Sequence, residues 1–227
     1  MSNSSVLESL EGGLIVSCQT QPPLGTPEIT GLMAQAAVEA GAVGIRANGP
    51  EHVAAVRERV SVPILGINKQ RFEDSQVYIT PTLESALVVI EAGAEIVALD
   101  GSPAPRPTGI DLRTLIAAIH ERGALVMADI STLDEGRYAA DCGADIVATT
   151  LSGYTPYSRQ LEGPDLDLIE ELVNAVDRPV IAEGRMYKPA DVEQAFERGA
   201  FAVVVGRAIT EPQLLTRFFA KATPRGR

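Results

Sequence analysis

Short apolar runs recur along the chain, and four of them directly follow a glycine–alanine pair. The pairs begin at Gly41, Gly93, Gly143 and Gly199, about 50 residues apart, and the runs after them are rich in β-branched residues. A run that is apolar at nearly every position is typical of a strand covered on both faces. We therefore interpret the four runs as buried strands, each preceded by a glycine that ends a helix in the left-handed conformation.

Four further apolar runs bring the number of predicted strands to eight. They are Leu14-Ile15-Val16-Ser17, Val62-Pro63-Ile64-Leu65, Ala124-Leu125-Val126-Met127 and Pro179-Val180-Ile181-Ala182. The segments between strands carry apolar residues at helical spacing, and Thr26, Asp111 and Thr132 stand where helix N-caps are expected. The pattern therefore predicts regular alternation of strands and helices.

Eight such alternations in a chain of this length predict an α/β fold, a closed (β/α)8 TIM barrel. An open doubly wound sheet is the alternative, but no Gly-x-Gly-x-x-Gly motif follows the first strand. No linker-like stretch divides the chain. We therefore expect residues 1–227 to form a single barrel domain, with flexible ends at residues 1–7 and 222–227.

Composition narrows the classes of partner. The 227 residues include 19 basic and 30 acidic side chains, a formal net charge of −11, so neither nucleic acid nor an anionic membrane is an expected partner. No apolar stretch approaches the roughly 20 residues of a membrane span, and the first residues lack the features of a signal peptide, so we expect a cytoplasmic protein. Two cysteines and two histidines provide no disulfide scaffold, and no metal-ligand spacing is present, so no metal site is predicted.

Polar side chains follow every predicted strand. In a (β/α)8 barrel, the carboxyl ends of the strands form one face, and that face carries the active site. In strand order these ends carry Gln19, Arg46, Lys69, Asp100, Asp129, Thr150, Glu183 and Arg207. A rim without function would also be polar, but it would rarely place lysine, aspartate and glutamate directly after apolar runs. We therefore expect the active site at this rim.

Lys69 and Glu183 form the candidate catalytic pair, because they follow strands that would lie across the barrel from each other. Partial burial lowers the pKa of a lysine and raises the pKa of a glutamate, and Arg46 on the neighbouring strand would lower the pKa of Lys69 further. Such a pair can move protons on opposite faces of one carbon atom. The alternative is a salt bridge that only closes the barrel mouth. Cys18, with no histidine nearby in the sequence, is expected to be a buried thiol.

Glycine stands next to arginine after each of the last two strands, at Gly184-Arg185 and Gly206-Arg207. Many barrels bind phosphate at this position with backbone amides. Glycine lets a phosphate oxygen approach the backbone, and arginine can bind the oxygens with two hydrogen bonds. We therefore predict a phosphate site of these four residues; tight turns with solvated arginines are the alternative.

Seven segments, in order along the chain, resemble the N-acetylmannosamine-6-phosphate 2-epimerase family. They are residues 66–69, 78–82, 98–100, 127–132, 149–155, 181–184 and 204–210. The resemblance implies a (β/α)8 barrel of the phosphate-binding type that takes part in bacterial sialic-acid breakdown. It also implies interconversion of N-acetylmannosamine 6-phosphate and N-acetylglucosamine 6-phosphate without a cofactor, so the expected partner is a small amino-sugar phosphate.

The resemblance also implies roles for individual residues. The family's catalytic lysine and glutamate match Lys69 and Glu183, and its substrate contacts match Gln19, Arg46, Asp129, Thr150 and Tyr154. Ring opening places C2 of the sugar beside an aldehyde, so that its proton can be removed as an enolate forms. Neutral Lys69 would take this proton from one face and protonated Glu183 would return one to the other. Arg46 or Gln19 would steady the oxyanion, and Asp129 would hold the sugar or orient Lys69.

The chain departs from the family pattern near its end. Glu211 stands where the resemblance implies an arginine, and Arg207 replaces a small residue, so we expect Arg207 to take the phosphate charge. The apolar residues of the final helix, Phe218 and Phe219 among them, indicate a homodimer. Two other functions stay open: another phosphate-binding barrel enzyme, such as a thiazole- or indole-type synthase, and a sugar-phosphate binder without catalysis.

Overall fold

The computed structural model describes residues 3–225 and contains a closed barrel of eight parallel strands. Each strand pairs with the next in the chain, and β8 pairs with β1 to close the ring. The strands are β1 (Leu14–Ser17), β2 (Gly44–Asn48), β3 (Ile64–Ile67), β4 (Ile96–Asp100), β5 (Leu125–Asp129), β6 (Ile146–Ala148), β7 (Val180–Glu183) and β8 (Ala202–Val205). The predicted (β/α)8 barrel is confirmed, and the open sheet is excluded.

Most of the helices connect successive strands and lie on the outside of the barrel. The helices are α1 (Asn3–Glu8), α2 (Pro27–Glu39), α3 (Pro50–Arg57), α4 (Leu83–Glu91), α5 (Leu112–His120), α6 (Leu133–Cys142), α7 (Leu166–Ala175), α8 (Pro189–Glu197), α9 (Arg207–Thr210) and α10 (Pro212–Lys221), with a short 3₁₀ turn at Thr149–Leu151. The side chains of Thr26, Asp111 and Thr132 each accept a backbone hydrogen bond in the first turn of the helix that follows. The predicted N-caps are therefore confirmed.

Side chains alternate between the two faces of each strand and form two apolar layers. Inward-facing residues, among them Ile15, Leu65 and Met127, form a cluster inside the barrel. Outward-facing residues such as Val97 and Val126 pack against the helices in a second cluster. Because the alternation has a period of two, the polar residues that end the strands continue the inward-facing rows. The fold thereby brings these polar groups together above the inner cluster.

The amino-terminal segment is ordered, in contrast to the flexible end predicted for residues 1–7. Residues 3–8 form α1, with Val6 only 2% exposed. Val6 and the fully buried Leu10 belong to the inner cluster, so apolar contact with the barrel interior holds the segment in place. Residues 1 and 2 lie outside the described residues. At the other end, residues 222–225 are exposed after α10 and residues 226 and 227 are not described, so flexibility there stays a prediction.

The described helices are short. Within residues 3–225, none combines the length and the apolar character that crossing a membrane requires.

Candidate active site

The carboxyl ends of the strands surround an open cavity of about 420 Å³. Ten of the residues predicted for the site line it: Gln19, Arg46, Lys69, Thr150, Tyr154, Glu183, Gly184, Arg185, Gly206 and Arg207. They come from both halves of the chain and meet only because the barrel closes. Asp129, the remaining predicted site residue, lies outside the lining.

Lys69 follows β3, and the surface that it exposes faces the cavity. Its Nζ donates a hydrogen bond to Gln19 Oε1 at 2.7 Å, and Gln19 Nε2 in turn donates to Ser17 Oγ at 2.7 Å. The cavity walls desolvate the ammonium and lower its pKa below the ordinary value, and the positive charge of Arg46 lowers this pKa further. Lys69 is therefore a better proton acceptor near neutral pH than an ordinary lysine.

Arg46 is the largest fully buried side chain of the described residues, with 1% of its surface exposed. Its Nη2 lies 2.5 Å from Asp129 Oδ2, and its Nη1 donates to Asp129 Oδ1 at 3.1 Å and to the carboxylate of Glu183. Burial opposes the charge, but Asp129 and Glu183 hold the pKa of the guanidinium above its ordinary value. Arg46 is thus a permanent cation at the base of the cavity.

Glu183 ends β7 and faces the cavity from the side of the barrel opposite β3. Its backbone is held by Thr149, whose Oγ1 accepts from the Glu183 N–H at 3.0 Å and donates to the Glu183 carbonyl at 2.9 Å. Burial raises the pKa of the Glu183 carboxyl above its ordinary value, against the opposing effect of Arg46. The carboxyl therefore keeps its proton to a higher pH than an ordinary glutamate does.

Asp129 ends β5 but lies outside the cavity lining. It is fully buried and contacts Arg46 and Thr150, whose Oγ1 donates to Asp129 Oδ1 at 2.6 Å. Arg46 and Thr150 line the cavity and Asp129 does not. The contacts of Asp129 orient Arg46 and Thr150; that it holds the sugar or orients Lys69 stays a prediction.

Arg185 also differs in detail from a simple phosphate ligand. Its Nε donates to the carbonyl of Gly163 at 2.7 Å and its Nη1 to the carbonyl of Ser152, while the guanidinium lies 5.7 Å from the ring centre of Tyr154. Its backbone has φ of 55°, in the left-handed region that favours glycine. Arg185 thus fastens the loop between β6 and α7 and adds positive charge to the cavity wall.

Arg207 and Glu211 lie together at the same end of the cavity. Arg207 Nε donates to Glu211 Oε2 at 2.5 Å, and Arg217 of α10 lies 3.4 Å from Glu211 Oε1. The hydrogen bond from Arg207 lowers the pKa of the Glu211 carboxyl, which stays ionised at neutral pH. Glu211, which stands where the resemblance implies an arginine, is therefore part of the cavity wall.

Sequence reasoning assigned no role to several lining residues. Ser17, Tyr78, Tyr187 and Glu211 all face the cavity. The signal for Ser17 was present, because Ser17 ends β1 two positions before Gln19 and continues the inward-facing row of Ile15. Tyr187 comes from a loop after β7, where no periodicity places a side chain.

Two sequence predictions concern groups other than Lys69 and Glu183, namely the thiol of Cys18 and a metal site. Cys18 is 1% exposed, and burial raises the pKa of its thiol to about 12, so the expected buried thiol is confirmed. Within residues 3–225, no group of three or more histidine, cysteine, aspartate or glutamate side chains is arranged to hold a metal ion.

Comparison with known proteins places this chain in a family. Residues 30–225 match the family model described as "Putative N-acetylmannosamine-6-phosphate epimerase". A protein of Clostridioides difficile (strain 630) named "Putative N-acetylmannosamine-6-phosphate 2-epimerase" is 49% identical over 219 residues, which are 96% of this chain and 98% of that protein. A protein of Cutibacterium acnes with the same name is 47% identical over 222 residues, 96% of each chain.

Solved structures agree with the sequence comparison. The N-acetylmannosamine-6-phosphate 2-epimerase from Clostridium perfringens superposes with a TM-score of 0.93 at 45% identity, covering 96% of both chains. The thiamine phosphate pyrophosphorylase from Pyrococcus furiosus, with a TM-score of 0.61 at 18% identity, covers 90% of this chain and shares the barrel fold alone. The chain therefore belongs to the N-acetylmannosamine-6-phosphate epimerase family.

Proposed function

We propose that this protein inverts C2 of N-acetylmannosamine 6-phosphate to give N-acetylglucosamine 6-phosphate, and catalyses the reverse reaction. The observation that carries the proposal is that Lys69 and Glu183 face one cavity from opposite sides of the barrel. Burial shifts the two pKa values toward each other, since it lowers that of Lys69 and raises that of Glu183. This arrangement suits inversion at carbon, since it offers one proton-transfer group on each face of the reacting atom.

The reaction follows from these positions. In the ring-opened sugar, the C1 aldehyde makes the C2 proton removable. Neutral Lys69 takes the proton, the electron pair of the C–H bond becomes an enolate, and Glu183 delivers its own proton to the opposite face of C2. In the reverse direction Glu183 is the base and Lys69 the acid.

Arg46 supplies the positive charge that the enolate oxygen requires. Asp129 and Thr150 hold it in place, so the guanidinium need not reorganise as negative charge develops. Asp129 thus acts through Arg46. Gln19, whose side chain is fixed between Lys69 and Ser17, directs the amine and contacts the sugar.

The phosphate group binds at the end of the cavity formed by Gly184, Arg185, Gly206 and Arg207. The two glycines expose backbone on the cavity wall, and the two arginines add positive charge there. This assignment places the phosphate beside the ends of β7 and β8, on the same side of the cavity as Glu183.

Isotope exchange tests the proposal directly. The protein is incubated with N-acetylglucosamine 6-phosphate in D₂O, and C2 is followed by NMR. The expected result is loss of the C2 proton signal together with appearance of the manno epimer. Tight binding of the sugar phosphate without exchange would instead establish a binder without catalysis. If the protein neither binds the sugar phosphate nor exchanges the C2 proton, another phosphate-binding barrel enzyme is the remaining alternative.

We also propose that the protein works in the cytoplasm as a homodimer. None of the residues of α10 is buried, and Phe218 and Phe219 are 48% and 75% exposed. Apolar surface of this kind is stabilised when a second copy covers it. Light scattering at micromolar concentration is expected to give the mass of two chains; the mass of one chain contradicts the homodimer.

A further inference from the structure

A carboxylate stands at the end of the cavity proposed to bind a phosphate. Glu211 lies between α9 and α10, and 17% of its side chain is exposed. It occupies the N-cap position of α10, yet its side chain accepts no hydrogen bond from a backbone N–H of that helix. Both carboxylate oxygens are instead directed to the guanidinium groups of Arg207 and Arg217.

The geometry of the Arg207 contact leaves part of the guanidinium free. Glu211 binds the side of the group that carries Nε and Nη2, at 2.5 and 3.4 Å. A guanidinium has five N–H donors, so the Nη1 group and the second Nη2 hydrogen are not used by this contact. Arg207 can therefore keep Glu211 and bind an anion with its outer edge at the same time.

Holding Arg207 in place favours anion binding. The side chain is 53% exposed, and an unrestrained arginine loses considerable rotamer freedom when it binds a ligand. A contact that fixes the guanidinium before the ligand arrives removes part of this loss. Repulsion between Glu211 and the ligand opposes the gain, but Arg217 offsets it: two guanidinium groups and one carboxylate leave one net positive charge.

We propose that Glu211 is a positioning residue that orients Arg207 toward the substrate phosphate, with Arg217 compensating its charge. This rests on the proposed amino-sugar phosphate substrate. It assigns a favourable effect to a carboxylate that would otherwise be expected to repel the ligand.

The test combines direct binding of inorganic phosphate, measured by titration calorimetry, with KM and kcat for N-acetylmannosamine 6-phosphate. The variants are Glu211→Ala, Glu211→Gln, Arg207→Ala and the double variant Arg207→Ala/Glu211→Ala. Glu170→Gln is the matched control, because Glu170 pairs with Arg198 between α7 and α8 on the outside of the barrel.

Glu211→Ala is expected to raise the phosphate Kd and the KM by about three- to tenfold, as for the loss of one charge-assisted contact, with kcat changed less than about twofold. Glu211→Gln keeps one acceptor oxygen and is expected to fall between Glu211→Ala and the unmodified protein. The double variant is expected to bind phosphate no more weakly than Arg207→Ala, since Glu211 acts through Arg207. Glu170→Gln is expected to leave all constants unchanged.

Several results overturn the proposal. Tighter phosphate binding by Glu211→Ala shows that repulsion dominates, and unchanged binding shows no role. Additive losses in the double variant show that Glu211 acts independently of Arg207, and an unmodified protein that binds no phosphate removes the basis of the idea. Titration does not require turnover, so failure of the epimerase proposal is seen separately, as missing C2 exchange.

Discussion

Arg46 and Asp129 form a paired contact inside the barrel, with Nη2 2.5 Å from Oδ2 and Nη1 3.1 Å from Oδ1. Both side chains are almost inaccessible, at 1% and 0% exposure. Burying two charges carries a large desolvation cost, which a well-formed pair offsets only when both partners are present. Asp129 therefore contributes to stability and to the chemistry of the cavity through the same contact.

Asp129→Ala is expected to lower the free energy of unfolding by about 3–5 kcal/mol, because it leaves the Arg46 charge buried with one partner fewer. Urea unfolding followed by circular dichroism measures the change. Asp134→Ala is the control, since Asp134 is 96% exposed and lies 3.7 Å from Arg137, and a loss below about 1 kcal/mol is expected there. Equal losses of unfolding free energy for the two substitutions would show that the buried Arg46–Asp129 pair contributes no more to stability than an exposed pair.

Replacing either member of the catalytic pair is expected to remove turnover but keep binding. Lys69→Met and Glu183→Gln each delete one proton-transfer group, and a drop in kcat of about 10²–10⁴-fold is expected. Rates come from NMR of the two epimers, and affinity from titration with N-acetylglucosamine 6-phosphate. Lys221→Met, at the exposed end of α10, is the lysine control. Full activity of Lys69→Met or Glu183→Gln contradicts the assignment.

The dependence of kcat/KM on pH is expected to be bell-shaped. Activity needs one of the two groups protonated and the other not, so it rises as pH passes the lower pKa and falls as pH passes the higher. Because burial and Arg46 lower the pKa of Lys69 from 10.5, and burial raises that of Glu183 from 4.5, both limbs are expected inside this interval. A plateau of kcat/KM that extends down to pH 4.5 or up to pH 10.5 contradicts the shifted pKa values of Lys69 and Glu183.

Arg185→Ala is expected to loosen the loop between β6 and α7. The substitution removes the hydrogen bonds to the carbonyls of Ser152 and Gly163 and the contact with Tyr154. Limited proteolysis is expected to cut the loop faster than in the unmodified protein, because exposed backbone without partners opens more often. Arg178→Ala, on the surface before β7, serves as control. Equal cleavage of both variants would leave Arg185 with no part in fixing the loop.

Much of the fold was readable from local pattern. Nearly continuous apolar runs marked the eight strands, because a strand covered on both faces has few polar positions. Capping residues such as Asp111 marked where helices begin, because the side chain satisfies the free N–H groups of the first turn. The rim assignment of Lys69 and Glu183 followed from their position after the strands, since the carboxyl ends of barrel strands form the face that carries the active site.

Contacts between distant loops were not readable. Nothing in the sequence shows that the guanidinium of Arg185 turns to the carbonyls of Ser152 and Gly163, because backbone acceptors carry no residue signature. The depth of Asp129 depends on which side chains close over it, which is a property of packing. The order of α1 was missed because a six-residue helix with one buried valine has no periodicity to detect.

The helix at the start of the chain closes the end of the barrel opposite the cavity. Val6 and Leu10 pack against the inner layer around Ile15. Apolar side chains therefore cover the amino-terminal face of the barrel, while the carboxyl-terminal face stays open and charged. Truncation of the first ten residues would hydrate the inner layer from below and destabilise the strands that carry Arg46 and Lys69. Tags and fusions are therefore better placed ahead of the intact segment than in exchange for it.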